Sequence, residues 1–187
     1  MATRTVGIRS LGVIAFAAAA LGAGRAEAEV FVDFGVNSTR VDAELASQAT
    51  STASSSGLHL GAGVRRALHA GSIGARLELD DVDSDVLLSV RALDYRHHLS
   101  QRFALTGFLG AARLNLATPA FGYYLGGGLE IKHLIRNWDL GIDLRMGDKI
   151  ARDSVLATDP VPQGGQNDNF YDLRGVSLYL RYRFGGE

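Results

Sequence analysis

Hydrophobic and polar residues alternate with a period of two along most of this chain. Ile73, Ala75, Leu77 and Leu79 fall on one side, and Gly74, Arg76, Glu78 and Asp80 on the other. Trp138, Leu140, Ile142, Leu144 and Met146 likewise oppose Asp139, Gly141, Asp143 and Arg145. Val176, Leu178, Leu180, Tyr182 and Phe184 oppose Ser177, Tyr179, Arg181 and Arg183. Successive side chains on a strand point to opposite faces, so this period predicts β-structure. No 3.6-residue stripe competes with it. Eight strands are predicted: Val30–Asn37, Leu58–Arg65, Ser72–Asp80, Val86–Tyr95, Phe103–Leu114, Ala120–Lys132, Trp138–Gly147 and Phe170–Phe184. The fifth is the least distinct, because both of its faces are mostly apolar.

The connections differ in length. Ser38–Gly57 and Asp148–Asn169 are long, while Arg66–Gly71, Arg96–Arg102 and His133–Asn137 are short. Asp81–Asp85 and Asn115–Pro119 fall on the same side as the long pair. Short turns at one end and longer loops at the other are the asymmetry of outer-membrane barrels, with the short turns in the periplasm. An even strand count returns both termini to that end.

Alternation alone fits a soluble barrel equally well, so the polar face must decide. It holds Gly61, Gly63, Gly74, Gly126, Gly128 and Gly141, which weaken a solvated strand but make room inside a narrow barrel. It also holds Arg65, Arg76, Arg91, Lys132, Arg145, Arg181 and Arg183 against Asp33, Glu78, Asp80, Glu130, Asp139 and Asp143. Eight strands leave an interior that side chains fill. Buried charges are costly unless paired, so these should interlock as a salt-bridge plug rather than line a pore. Aromatics gather in two groups: Tyr95, Phe103, Trp138, Tyr182 and Phe184 toward the periplasmic rim, and Phe34, Phe121, Phe170 and Tyr171 toward the outer one. Such girdles mark the two membrane interfaces. An open sheet edge in hydrocarbon would leave backbone groups unpaired, so the first and last strands must pair.

The N-terminal residues read as an export signal. Arg4 and Arg9 supply positive charge, Leu11 to Leu21 an apolar run, and Ala26-Glu27-Ala28 small residues around a cleavage point. The run falls short of the about 20 apolar residues of a spanning helix. Residues 1–28 are thus expected to be a signal peptide and residues 29–187 the barrel domain; removing 28 of the 187 residues leaves 159. Without Arg4, Arg9, Arg25 and Glu27 the chain has 16 basic and 19 acidic residues, with no clustered basic face for nucleic acid. There is no cysteine, so no disulfide can staple this exported domain.

The eight-run pattern, the strand Tyr123-Tyr124-Leu125-Gly126-Gly127-Gly128-Leu129 and the Leu180/Tyr182/Phe184 ending together resemble the small eight-stranded outer-membrane barrels, the OmpA-, OmpX- and opacity-type family. The resemblance covers essentially all of the mature chain. It implies an all-β, antiparallel, up-and-down transmembrane β-barrel in the bacterial outer membrane, surrounded by outer-membrane lipids and lipopolysaccharide. It also implies recognition of the last strand by the barrel-assembly machinery, with Phe184 as its last aromatic. Gly185-Gly186-Glu187 follow, where the family usually ends on Phe. The fold by itself specifies no activity.

His98-Leu99-Ser100 with Glu130 is similar to the residue set of outer-membrane lipid A hydrolases, but it lies in a predicted turn and reads as polar surface. The acidic run Asp80-Asp81-Val82-Asp83-Ser84-Asp85 lacks the Gly and Glu of an EF-hand, with Val86 and Ala92 in their places. His59, His69, His97, His98 and His133 lack zinc-site spacing. Gly126-Gly127-Gly128 precedes no helix that could hold a phosphate, and Asn37-Ser38-Thr39 has glycosylation spacing by chance. No catalytic, cofactor or metal residue is expected. Ser38–Gly57 is polar and low in complexity, a stretch unable to bury enough apolar area to order itself, and Asp159-Pro160 to Gly165 breaks regular structure. If a surface ligand binds, Ser38–Gly57 and Asp148–Asn169 are where it is expected; solvated, non-binding loops are the default reading. The expected role is non-enzymatic: a monomeric barrel that supports the envelope or meets surface partners. The rivals are a lipid-modifying enzyme, a soluble periplasmic barrel for an apolar ligand, and a narrow conduit.

Overall fold

Backbone pairing accounts for nearly all of the ordered chain. The computed structural model describes residues 28–44, 50–83, 85–114, 121–154 and 168–184. The strands are β1 Ala28–Glu44, β2 Thr50–Leu68, β3 Gly71–Val82, β4 Asp85–His98, β5 Phe103–Leu114, β6 Gly122–Ile135, β7 Trp138–Ser154 and β8 Asp168–Phe184. They close into a barrel in chain order, with every neighbour antiparallel. Closure runs from Val30↔Phe184 to Glu44↔Phe170, the seam the lipid environment requires. The expected export segment lies outside the described residues up to position 27.

The barrel is inside-out. Arg76, Asp143 and Arg181 are buried in the lumen, whereas Ile142 and Leu178 stand 43% and 46% exposed on the outer wall. Water would penalise that wall, but acyl chains accept it, so the outer surface is a lipid-facing band.

Except for β5, which spans Phe103–Leu114 as predicted, the strands are longer than the alternation predicts. Ser38–Glu44 and Thr50–Gly57 are strand and not loop: Ser38↔Ser56, Arg40↔Ser54 and Asp42↔Thr52 continue the β1–β2 ladder, and β1 keeps its pairing with β8 as well. Ladder hydrogen bonds, on both edges of β1 and on the β1 edge of β2, order these residues, and they do not depend on side-chain hydrophobicity. Asp148–Asn169 is shortened in the same way, as β7 continues to Ser154 and β8 begins at Asp168. What remains between these strand ends, and Asn115–Pro119, lies outside the described residues. At the other mouth the short connections contract to His69-Ala70, residues 99–102 and Arg136-Asn137.

Polarity reverses along the wall. In the lower part apolar residues face out and charges face in. Above Val36 the outward positions become Ser38, Arg40 and Asp42 on β1, and Arg174 and Asp172 on β8. The inward ones become Val41, Leu173, Ile150 and Ala151, which join Val82, Leu87, Leu114 and Tyr124 in one apolar cluster. Polar-out, apolar-in is the packing of a protein in water. The 17 residues of β1 rise about 56 Å along the strand, or about 43 Å upright at a tilt of about 40°, against an apolar band about 25 Å tall. The upper part of the barrel therefore stands above the lipid. The inward apolar cluster also explains why both faces of β5 read as apolar: Phe108, Ala112 and Leu114 point into it.

The girdles need two corrections. Phe34 belongs to the periplasmic belt, since its ring lies 5.2 Å from Trp138, which stacks on Tyr182 and so on Phe184. The extension of β1 puts Phe34 low on a longer strand than predicted. Tyr171 packs against the inward cluster instead of the outer lipid belt. At that level the inner face is the apolar one.

Candidate functional site

Three levels of side chains occupy the lumen. At mid-height Arg181 binds Asp33 and Glu130 at 2.7 and 2.6 Å. Arg76 bridges Asp33 and Glu78 at 2.8 and 3.0 Å, and Arg91 bridges Glu78 and Asp143, both at 2.7 Å. Each guanidinium meets two carboxylates, which offsets the desolvation that a lone buried charge would suffer. All of the charges predicted to interlock lie in the lumen or at its mouth, and all but Lys132 form ion pairs. Above them Asp80 takes Arg145 and His59, and Arg145 reaches Thr39 at 3.1 Å.

The inward aromatics fill what the ion pairs leave. Phe31, Phe108 and Tyr179 lie over the glycines opposite them in register, Gly63, Gly126 and Gly141. A Cβ at Gly141 would sit 2.3 Å from the Tyr179 ring, and one at Gly126 2.4 Å from Phe108. Arg181 lies over Phe31 at 4.1 Å and Arg91 over Phe108 at 3.4 Å, cation–π contacts to the faces of guanidiniums whose edges meet carboxylates. The glycines thus make room for rings as well as for charges.

Alternation missed Asp94 and Arg96. A bulge in β4 sets Ala92 and Leu93 opposite Ala75, so both point outward and the next inward residues are Asp94 and Arg96. A strict period of two places these two residues on the wrong side. A polar pair breaking the alternation after Arg91 was the available signal. His59 Nδ1 lies 2.7 Å from Asp80 and Nε2 2.8 Å from Arg76 Nη2. Arginine only donates, so Nε2 accepts and Nδ1–H donates to Asp80. Neither ring nitrogen is left to take a proton from a hydroxyl.

The other singled-out motifs are spread apart. Ser100 Oγ accepts from the backbone N–H groups of Arg102 and Phe103 at 3.2 and 3.0 Å, as a turn cap. Glu130 is held in the lumen by Arg181 and Arg96. Asp80 points into the barrel while Asp81 faces out and Asp83 turns with φ 53°. No three potential ligands gather around a metal position among the described residues. Asn37 is buried, donating to the carbonyls of Leu58 and Asp81, which fits a chance match to the glycosylation spacing.

The periplasmic mouth is open. A cavity of ≈ 800 Å³ is lined by Arg65, Arg66, Arg96, Lys132 and Arg183, by His98 and His133, and by a single carboxylate, Glu29. Deeper acids at its floor are already engaged. Asp94 accepts from Arg65 at 3.4 Å, Glu130 pairs with Arg96, and Asp139 accepts from Arg96 and the backbone of His133 and forms an ion pair with Arg183. This mouth is therefore electropositive, and sequence reasoning, which placed Arg66, Arg96 and His133 in separate turns, did not bring them together.

No protein-family model matches the chain, and no curated protein matches it in sequence. Solved structures do. Ail, the attachment invasion locus protein of Yersinia pestis, is 13% identical with a TM-score of 0.54, covering 84% of this chain and 99% of its own. The same protein in complex with the heparin analogue sucrose octasulfate is matched at 14% identity and a TM-score of 0.50, with the same coverage. Neisserial surface protein A is matched at 13% identity and a TM-score of 0.48, covering 83% of this chain and 97% of its own. With its closed eight-strand topology, lipid-facing wall and charged lumen, the chain has the fold of the small eight-stranded β-barrels of the bacterial outer membrane.

Proposed function

We propose that this protein is a non-enzymatic surface barrel whose upper wall is a rigid platform for contact with partners outside the cell. The observation that carries this reading is the reversal of polarity above Val36: the strands continue into water as a paired wall with its own apolar core. A barrel that only needed to span lipid could stop at the band. Outward on that wall stand Arg40 and Asp42, joined at 3.0 Å, with Thr52 donating to Asp42 at 2.8 Å. A prepaired polar surface of this kind contacts a partner with little ordering cost. Similarity to a protein named for attachment and invasion agrees with it.

The test replaces residues 38–56 by a two-residue turn and compares cells carrying this variant, the full chain, or no copy. Adhesion to protein-coated and to heparin-coated surfaces is measured alongside resistance to detergent. The variant should still fold, run as a heat-modifiable band and protect against detergent as the full chain does, yet lose adhesion. Adhesion equal to that of the full chain on both surfaces would count against the platform reading.

A further inference from the structure

We propose that the periplasmic mouth is a binding site for a phosphate-bearing anion. Three observations meet there. Within the cavity, cationic side chains outnumber the one carboxylate, Glu29, which itself lies 3.7 Å from Arg183. The acids below take Arg65, Arg96 and Arg183 as partners, which leaves Arg66 and Lys132 without an ion pair among the described residues. Arg65, only 3% exposed, still has no hydrogen-bond partner at Nε or Nη1, although Nη1 lies 4.0 Å from Glu130. Ser72 Oγ, also buried at this mouth, has no partner either.

A planar guanidinium fork, an ammonium and a hydroxyl lining one cavity suit a group with several acceptor oxygens and more than one negative charge. Phosphate fits that description better than a single carboxylate does. Chloride could balance the charge but could not span the donors. The cavity is large enough to admit either a free phosphate or the headgroup of an inner-leaflet lipid reaching over the rim at Phe184. The same field acts on His98 at the edge of the cavity. Partial burial, then the cations of Lys132, Arg96, Arg65 and the neighbouring His97, hold its imidazole below the usual range. A bound anion would offset those cations and let His98 protonate at higher pH.

The test follows the His98 ring by nuclear magnetic resonance in the folded protein held in phosphatidylcholine nanodiscs, at constant ionic strength. Inorganic phosphate is titrated against chloride in one arm, and phosphatidylglycerol replaces part of the lipid in the other. Saturable shifts with a raised His98 midpoint are expected in at least one arm: the first identifies a free anion, the second alone a lipid headgroup. Lys132→Gln, which breaks no ion pair, should weaken the response about tenfold, the loss of one charge-assisted hydrogen bond. Arg65→Lys keeps a cation opposite Asp94 but loses the fork, and should weaken it too. Shifts absent from both arms, or unsaturable and identical in Lys132→Gln, would overturn the site.

Discussion

Arg181 on β8 donates from Nε and Nη2 to the two oxygens of Asp33 on β1, at 2.7 and 3.2 Å, across the seam that closes the barrel. Asp33 also meets Arg76 at 2.8 Å, so one carboxylate serves two buried guanidiniums. Asp33→Ala should therefore cost about 3–5 kcal/mol, the penalty of breaking a buried pair from one side. Urea titration of the protein in micelles measures it. Replacing Asp33, Arg76 and Arg181 together by apolar residues of similar size should recover much of the loss, and no recovery would mean that the pairs contribute more than their desolvation.

Tyr179 occupies the space a side chain would take at position 141. Gly141→Ala should destabilise the barrel by about 1–3 kcal/mol, since the ring is confined by Arg76 at 4.5 Å and Arg181 at 5.2 Å. Gly107→Ala is the control: nothing lies within 4 Å of its added carbon. Equal midpoints for the two variants would remove the ring-over-glycine account.

The position of the lipid band can be measured because the chain has no cysteine and a single tryptophan. Cysteine at Thr52 should react with a membrane-impermeant maleimide on intact cells, and cysteine at Leu178 should not. Trp138, in the ring cluster with Phe34 and Tyr182, should be quenched more by bromine near the headgroups than at the bilayer centre. The reverse order would place the band elsewhere on the wall.

Planar-bilayer recordings of the purified protein should show no steps of single-channel current. Arg91, Glu78 and Asp143 fill mid-height, and Leu87, Ile150 and Leu173 are buried together above them. Leu173→Ala should remain silent, because the ion-pair level below still blocks the lumen. Discrete openings in the unaltered protein would contradict a filled interior.

The alternating pattern by itself determined that the chain forms eight strands, that they close, and which side of most strands carries the charges. Period-two sorting is local, and closure follows from the solvent, so neither needs the third dimension. Composition likewise announced glycine among the charges. Tertiary structure alone decided where the pattern breaks. The β4 bulge that brings Asp94 and Arg96 inside is a property of pairing with β3 and β5, and no single strand encodes it. Ser38–Gly57 reads as unable to order because its side chains are polar; Ser38–Glu44 and Thr50–Gly57 are ordered by the β1–β2 ladder, and Ser38–Glu44 also by pairing with β8, far along the chain. The reversal of polarity above Val36 and the gathering of cations at the periplasmic mouth arise the same way. Both depend on how far each tilted strand has climbed when it meets its neighbours, a height that only the closed barrel sets.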